Sequence, residues 1–337
     1  MNLCELISYS VKQKASDLHL STGHLAVLRV NGELRYLSDN KLCDEQIDRQ
    51  GDSALSQQLL TLLSHKQRAI LLRDNQLDCA ITIGDTRLRA NIFQQRAGIS
   101  AAFRFIQSTI PQPETLAIPP VLIDMTGAQD GLIIVAGATG SGKSTSLAAL
   151  IGEINRHQAR HIMTLEDPIE FIHHSDHSLI QQREIGVHVD SFSQGLRAAL
   201  RQDPDIILLG ELRDAETIRL ALTAAETGHL VFATLHTRSA IQSVERIVDV
   251  FPAEEKRFVA TQLANSLRAV MCQQLLPDTQ GGRVAAYEVL INTPAVSNMI
   301  REGKGHQLQT LLQTGAATGM QTMDQHKARL VLDGVIN

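Results

Sequence analysis

The chain has 337 residues, 43% of them hydrophobic, which allows two domains with cores of their own. Its formal net charge of −5 provides no attraction of the whole chain to nucleic acid or anionic lipid. The four cysteines form no CxxC pair, which argues against a zinc ribbon and a disulfide framework. No apolar run has the length that spans a bilayer, so we expect no transmembrane segment and a cytoplasmic protein.

Residues 1–106 predict a small α+β domain built on an antiparallel sheet. Helices are expected over 2–15 and over the leucine-rich stretch 54–72. Short strands are expected near 18–20, 26–30, 33–37, 77–83, 87–93 and 99–105. The pairs Asn31-Gly32 and Gly84-Asp85 stand between such runs, where glycine favours a tight hairpin turn.

A cluster of prolines then interrupts the chain, at Pro111, Pro113, Pro119 and Pro120. Proline fixes its own backbone angle and donates no amide hydrogen bond, so it disfavours helix interiors and central strands. We therefore interpret residues 107–120 as a proline-rich linker between two domains.

From residue 121 to 337 the pattern predicts a second, α/β domain. Strands expected at 131–136, 161–165, 205–209 and 229–235 alternate with helices expected at 143–157, 191–201 and 214–227. This alternation is typical of a mostly parallel sheet covered by helices. Beyond residue 253 the chain is expected to be helical, with a strand pair near 270–276 and 284–291. One helix, over about 254–271, is expected to pack Phe258, Leu263 and Leu267 into the core.

The segment Gly137–Ser144 fits GxxxxGK[ST], the phosphate-binding loop, and directly follows the apolar run 132–136. Its glycines allow successive amide N–H groups to converge on phosphate oxygens, and the following helix adds its positive N-terminal end. Lys143 is expected to reach the β- and γ-phosphates, and the Ser144 hydroxyl to ligate Mg²⁺. A dinucleotide site is disfavoured because Thr145 replaces the third glycine of GxGxxG. The predicted nucleotide-binding residues are Gly137, Ala138, Thr139, Gly140, Ser141, Gly142, Lys143, Ser144 and Thr145.

Two glutamates follow predicted strands, Glu166 after 161–165 and Glu211 after 205–209. Hydrolysis of a triphosphate requires one carboxylate to hold Mg²⁺, partly through water, and another to orient or deprotonate the attacking water. We expect Glu211 to share the metal with Ser144, and which glutamate is the general base stays open. His229 and His236 flank another predicted strand, and their spacing alone does not assign them a function.

A second polar cluster consists of His173, His174, Asp176 and His177. Histidine and carboxylate side chains in this order are compatible with a metal site. No partner ligand is evident elsewhere in the sequence, so we expect solvated loop side chains here.

Longer motifs carry a family resemblance: GATGSGKST, TLEDPIEF, DPDIILLGELRD, LTAAETGHLVFATLHT and RVAAYEVLINTPAVSNMIREGK. From about Asp17 to Asp324 the chain resembles the secretion ATPases and, within them, the PilT type IV pilus retraction ATPases. The resemblance implies ATP with Mg²⁺, a RecA-like P-loop NTPase domain and a smaller PAS-like α+β domain before it. It implies site roles for Glu166 and Glu211, and for His229 and His236 as sensors that contact the nucleotide or link its state to domain position.

The resemblance also implies a homohexameric ring, in which the N-terminal domain of one subunit packs against the nucleotide domain of its neighbour. Arg89 and Arg104 match family positions that reach the phosphates from the N-terminal side. A fixed guanidinium suits the negative charge that develops on the γ-phosphate, which explains the residue type. The alternative is that both arginines are exposed on the polar face of a sheet.

The function implied is an ATPase motor that drives pilus disassembly and twitching motility. Its partners would be the inner-membrane pilus platform protein and the pilus machinery, so the protein would be cytoplasmic and peripheral to the inner membrane. Pilus assembly and type II secretion ATPases usually carry an additional N-terminal domain and a four-cysteine zinc element, so retraction is favoured. His24-Leu25-Ala26 stands where the family commonly has prolines, and the chain stops soon after Gly334, which leaves a divergent or orphan homologue open.

Three other classes share the phosphate loop. A P-loop kinase requires an acceptor pocket, which the sequence does not identify. A nucleic-acid translocase has the same core, but the acidic net charge argues against it, and we expect no nucleic-acid partner. A scaffold that binds ATP without hydrolysing it is the non-enzymatic alternative.

Overall fold

The computed structural model describes residues 2–30, 32–37, 54–106 and 109–337. The chain divides into two compact units. Unit 1 is Met1–Thr109 with Pro168–Ile172, and unit 2 is Ile110–Asp167 with His173–Asn337. Asn31 of the predicted Asn31-Gly32 turn, Cys43 and the first two residues of the predicted linker lie outside the described residues.

Unit 1 is a six-stranded sheet with three helices among its described residues. Its elements are α1 (Leu3–Lys12), β1 (Asp17–Ser21), β2 (Val27–Val30), β3 (Glu33–Tyr36), α2 (Ala54–Leu62), α3 (His65–Asp74), β4 (Gln76–Ile83), β5 (Thr86–Gln95) and β6 (Gly98–Ile106). The strand order is β3-β2-β1-β6-β5-β4 and every pairing is antiparallel, which confirms the predicted antiparallel sheet. Alternate residues such as Leu18, Leu88 and Phe103 point into a core shared with the helices.

The prediction of one helix over 54–72 is wrong. The chain forms α2 and then α3, and the residue that caps the start of α3 is Ser64. Its hydroxyl accepts a hydrogen bond from the Gln67 amide, and the Gln67 side chain accepts one from the Ser64 amide, which is a capping box. Ser64 itself is extended, so the leucine spacing continues across a break in the backbone.

Unit 2 is a seven-stranded sheet covered by helices on both faces. Its elements are α4 (Pro120–Asp124), β7 (Gly131–Ala136), α5 (Lys143–His157), β8 (His161–Glu166), β9 (Leu179–Glu184), α6 (Phe192–Ala199), β10 (Ile206–Leu209), α7 (Ala215–Glu226), β11 (Leu230–Leu235), α8 (Ala240–Asp249), α9 (Ala253–Ser266), β12 (Leu267–Pro277), β13 (Arg283–Ile291), α10 (Pro294–Arg301), α11 (Gly305–Thr314) and α12 (Met323–Leu332). The strand order is β13-β12-β7-β11-β10-β8-β9. Among these described strands, the β12–β13 pairing is antiparallel and the other five pairings are parallel.

The central strands are buried along their whole length, because helices cover both faces of the sheet. One face contributes Leu132, Ile134 and Val231 to one core cluster, and the other face contributes Ile133 and Phe232 to a second. Successive residues of a strand point to opposite faces, so each central strand supplies both clusters.

The start of α7 agrees with the helix expected over 214–227, and Asp214 caps it. The Asp214 carboxylate accepts a hydrogen bond from the Thr217 amide at 2.8 Å. A side-chain oxygen at this position satisfies one of the free amides in the first turn of a helix. Helix α7 therefore begins where the sequence predicts it.

Two further expectations for unit 2 need correction. Strand β9 is absent from the predicted elements, because it lies at the sheet edge and its sequence LIQQRE lacks the apolar run of a central strand. The helix expected over 254–271 ends at Ser266, and Leu267 begins β12. Phe258 is 59% exposed instead of packed in the core, because α9 buries the face that carries Val259 and Leu263.

The order of the strands determines which loops meet. Strands β7, β11, β10 and β8 are consecutive neighbours and run parallel. Their carboxyl ends therefore lie at one edge of the sheet, where open α/β sheets bind ligands.

Candidate functional site

The phosphate loop connects β7 to α5 at this edge of the sheet. Gly137 and Gly142 have φ angles of 147° and 89°, in the range that favours glycine. A Cβ at Gly137 would also lie 2.5 Å from the Ser141 hydroxyl oxygen and from the Gln273 carbonyl oxygen. Both the backbone conformation and the lack of space therefore exclude a larger residue at Gly137.

The loop has polar groups that suit a bound anion. No side chain in the described part of the chain caps the start of α5, so its first amides keep their hydrogen-bonding capacity. The Ser141 hydroxyl is buried and has no hydrogen-bond partner among the described residues. Lys143 Nζ donates to the carbonyl oxygens of Gly137, at 2.8 Å, and Ala138, at 3.0 Å. The ammonium thus lies inside the loop, and these groups fit a phosphate.

A magnesium ion fits beside this loop through oxygen ligands. The Ser144 side chain is exposed in the first turn of α5, and Thr145 is half-buried next to it. A hydroxyl at this position, with phosphate oxygens and water, supplies the oxygen ligands that Mg²⁺ requires. Among the residues that the structure describes, no group of three or more His, Cys, Asp or Glu side chains is arranged to hold a metal.

Glu211, His236 and Thr139 form a row of side chains beside the loop. Glu211 follows β10, His236 follows β11, and Thr139 lies in the phosphate loop after β7. The Thr139 hydroxyl lies 3.3 Å from His236 Nδ1, and His236 Nε2 lies 3.5 Å from Glu211 Oε1. The imidazole therefore connects the loop to the carboxylate across three adjacent strand ends.

The surroundings of His236 favour its neutral form. Burial lowers the pKa of His236 most, and the nearby Lys143 ammonium lowers it further, while Glu211 opposes the shift. A neutral imidazole has one N–H donor and one acceptor nitrogen. His236 can thus accept from Thr139 while it faces the Glu211 carboxylate with its N–H group.

Glu166 lies at the same edge, farther along the sheet. Its Oε1 accepts hydrogen bonds from the Thr164 hydroxyl at 2.7 Å and from Gln182 Nε2 at 3.0 Å. Strand β8 is three positions from β7 in the sheet, which corresponds to about 14 Å at the usual strand spacing. Strand β10, which Glu211 follows, is two positions from β7. Of the two strand ends that carry these glutamates, the end of β10 is therefore the closer to the loop.

The structure separates His229 from this group. Strand β11 pairs in parallel with β7, with Leu230 opposite Gly131 and Leu235 opposite Ala136. His229 precedes β11 and the phosphate loop follows β7, so a six-residue strand of about 20 Å lies between them. His229 therefore lies at the opposite edge of the sheet from the phosphate loop of its own subunit. Its role as a sensor that contacts the nucleotide or links nucleotide state to domain position stays a prediction.

Arg89 and Arg104 lie in unit 1, directly opposite each other on β5 and β6. Arg89 pairs with Asp78 at 2.6 Å and with Glu170 at 3.7 Å. Arg104 pairs with Asp17 at 3.0 Å. Both guanidinium groups therefore have carboxylate partners within their own unit, which balance the two like charges on neighbouring strands.

Two further residues at this edge are not predicted by the sequence. Arg213 Nε donates to Glu211 Oε2 at 2.6 Å. In the sequence, the feature that could have indicated this contact is the position of Arg213 two residues after the glutamate. Gln273 lies on β12, the other neighbour of β7, and the Ser146 hydroxyl in α5 donates to its Oε1 at 2.8 Å. No local pattern marks Gln273, because the pairing of β12 with β7 brings together residues far apart in sequence.

None of the helices in the described parts of the chain combines the length and the apolar character needed to cross a membrane.

The chain is similar over its full length to known proteins. The family model described as "Type II/IV secretion system protein" matches residues 2–336. An Escherichia coli protein described as "Uncharacterized protein YggR" is 53% identical over 335 residues, which cover 99% of each chain. The Pseudomonas aeruginosa "Type IV pilus retractation ATPase PilT" is 46% identical over 338 residues, covering 100% of this chain and 96% of the relative.

A solved structure also matches both units. It is described as "Crystal Structure of the Pilus Retraction Motor PilT and Bound ADP", with a TM-score of 0.90 and 40% sequence identity. The match covers 100% of this chain and 95% of the solved one. By the family model, the sequence identity and the fold, this chain belongs to the type II/IV secretion system protein family.

Proposed function

We propose that this chain is a motor subunit that hydrolyses ATP to power type IV pilus retraction and twitching motility. The observation that carries the proposal is the row formed by Thr139, His236 and Glu211 beside the phosphate loop. It occurs in a chain that is similar throughout to a pilus retraction motor. A phosphate loop, a strand-end carboxylate and a linking polar side chain are the parts that nucleotide hydrolysis requires.

Each residue of the site has a chemical role in this proposal. The loop amides and Lys143 bind the phosphates of ATP, and the Ser144 hydroxyl holds Mg²⁺. Glu211 holds the metal partly through water, and Glu166 or Glu211 acts on the attacking water. Magnesium, when bound, neutralises charge that develops on the phosphate oxygens. His236 contacts both the loop and Glu211, so it is placed to respond to the γ-phosphate.

The working assembly in this proposal is a homohexameric ring. Unit 1 is a PAS-like domain and unit 2 is a RecA-like domain. Of the segment 107–120 that was expected to link them, residues 110–120 belong to unit 2. Arg89 and Arg104 of one subunit act on the nucleotide of a neighbouring subunit, which requires them to leave their present carboxylate partners. A guanidinium supplied by a neighbour couples hydrolysis to the arrangement of subunits.

The motor acts in the cytoplasm, at the inner-membrane platform protein of the pilus machinery. A nucleic-acid partner is not part of the proposal, since the net charge of −5 favours no polyanion. A role as an orphan homologue is the second candidate, and the observation behind it is the 53% identity to a protein described only as uncharacterised.

ATP turnover by purified Lys143→Ala and Glu211→Ala proteins tests the site. We expect kcat/KM to fall at least about 100-fold in each, equivalent to about 2.7 kcal/mol of transition-state stabilisation. Glu254→Ala, which changes an exposed glutamate in the first turn of α9, is the control and should retain wild-type turnover. Turnover near the wild-type rate in either site variant would contradict the assignment.

Deleting the gene in its own host tests the cellular role. We expect loss of twitching motility and an excess of surface pili, both restored by the wild-type gene and not by Lys143→Ala. Unchanged motility and piliation, with ATP turnover intact in the purified protein, would favour the orphan homologue instead.

A further inference from the structure

Gln273 lies beneath the phosphate loop, although it is far from the loop motif in sequence. It belongs to β12, which pairs in parallel with β7 so that Cys272 lies opposite Ala136. Gln273 is therefore level with Gly137, the first residue of the loop. Its side chain is only 4% exposed, so this amide is buried at the base of the candidate nucleotide site.

The two ends of the amide contact the two ends of the first turn of α5. The Ser146 hydroxyl donates to Gln273 Oε1 at 2.8 Å, and Ser146 is fully buried. Gln273 Nε2 occupies the space beside Gly142, where an added Cβ would lie 2.8 Å from it. The Ser146 amide in turn donates to the Gly142 carbonyl oxygen at 3.0 Å. Gln273 thus holds the loop and the helix start as one unit.

The same buried layer continues to the segment that precedes α4. Tyr287 on β13 lies directly opposite Gln273, and its hydroxyl donates to the Leu116 carbonyl oxygen at 2.8 Å. Burial raises the pKa of Tyr287 to about 12, so the phenol stays a hydrogen-bond donor at neutral pH. The strand neighbour of Gln273 is therefore anchored as well, which keeps β12 in place beneath the loop.

We propose that Gln273 is a positioning residue that sets the shape of the phosphate loop for nucleotide binding. This inference rests on the proposed nucleotide site. A neutral amide suits the position because Oε1 accepts from Ser146 while Nε2 faces the loop backbone. A carboxylate there places a negative charge next to the phosphate site, and an apolar side chain leaves the buried Ser146 hydroxyl without its acceptor.

The test compares Gln273→Glu and Gln273→Met with the same changes at Gln274, which is the next residue on β12 and is exposed. Binding of MgADP to the full-length protein and the KM and kcat for ATP are measured. We expect Gln273→Glu to weaken MgADP binding about tenfold or more, and Gln273→Met about three- to tenfold. KM should rise more than kcat falls, and both Gln274 variants should stay within about twofold of wild type.

The thermal unfolding midpoint without nucleotide separates positioning from stability. A purely structural role lowers this midpoint and leaves MgADP affinity unchanged, which would overturn the inference. Should Gln273→Glu fail to fold, the near-isosteric Gln273→Met variant decides. If the Gln273 variants are active and bind MgADP within about twofold of wild type, the inference about Gln273 is refuted and the proposed function is not. A wild-type protein that hydrolyses no ATP would instead refute the proposed function.

Discussion

Gly210 illustrates how close packing decides one residue in the site. The strand-end glutamate Glu211 resembles the second acidic motif of P-loop nucleoside triphosphatases, which usually has Asp directly before the Glu, and this chain has Gly210 there. The Gly210 amide donates to the Leu165 carbonyl oxygen at 2.8 Å, so the ends of β10 and β8 are close together. An added Cβ would lie 3.3 Å from that oxygen and 3.4 Å from Glu166 Cα. An Asp side chain at this position therefore requires the strand that presents Glu166 to shift by a few tenths of an ångström.

His173 provides a pH-dependent prediction at the same scale. Burial lowers the pKa of His173 from 6.5 to about 4, with a smaller contribution from His174. Between pH 6.5 and about pH 4, His173 therefore binds a proton in the unfolded chain and not in the folded chain. The free energy of unfolding decreases as the pH falls through this range. We expect this to cost about 3 kcal/mol of unfolding free energy by pH 4.

Urea denaturation of His173→Gln and wild-type protein from pH 7 to pH 4 measures this effect. The loss of stability on acidification should be smaller in His173→Gln, while His177→Gln, a change at an exposed neighbour, should follow the wild type. Parallel curves for wild type and His173→Gln would contradict the prediction.

Glu288 connects three elements of unit 2. Its carboxylate lies on β13, is buried, and accepts hydrogen bonds from the amides of Ala240 at 2.7 Å and Met323 at 3.4 Å. These amides belong to the first residues of α8 and α12. A carboxylate at a helix N-terminus is stabilised by free amides and by the helix dipole. One side chain thus fixes the starts of two helices against the sheet.

Replacing Glu288 with Ala should destabilise the chain by about 3 kcal/mol, because the buried Ala240 amide and the half-buried Met323 amide lose their acceptor. Glu288→Gln keeps an acceptor oxygen and should cost less. The free energy of unfolding is measured by urea denaturation, with Asp324→Ala as the control, since Asp324 is exposed in the first turn of α12. Equal stability of Glu288→Ala and Asp324→Ala would exclude the capping role.

Some elements follow directly from local sequence. The Gly84-Asp85 turn closes a two-residue hairpin between Ile83 and Thr86, since glycine reaches the φ of 59° found there. The break at Ser64 and the change from helix to strand at Leu267 are not predicted, because the apolar spacing continues across both. The spacing of apolar residues predicts which face of an element is buried. It does not predict where a helix starts or ends, which depends on capping side chains.

The proposed homohexameric ring predicts that Arg89 of one subunit acts at the nucleotide site of its neighbour. If Arg89 acts on a neighbouring subunit, then Lys143→Ala and Arg89→Ala disable different parts of one shared site. In a random 1:1 mixture, about a quarter of the interfaces join an intact loop to an intact arginine. Mixing the two inactive proteins should therefore restore part of the ATP turnover.

Steady-state turnover of the mixture, compared with each variant alone, measures this gain. Each variant mixed with more of itself is the control and should stay inactive. A mixture that assembles into rings and shows no gain would place the action of Arg89 within its own subunit.

The phosphate loop, the two classes of domain and the strand-end glutamates follow from the sequence alone, because they depend on short-range patterns of glycine, charge and apolar residues. Which of these residues lie close together depends on how the strands pair. The parallel register of β7 and β11 places His236 beside the loop and His229 at the opposite edge. The pairing of β12 with β7 brings Gln273 beneath Gly137. Both results depend on strand order, which arises from burial of whole strands and not from any local motif.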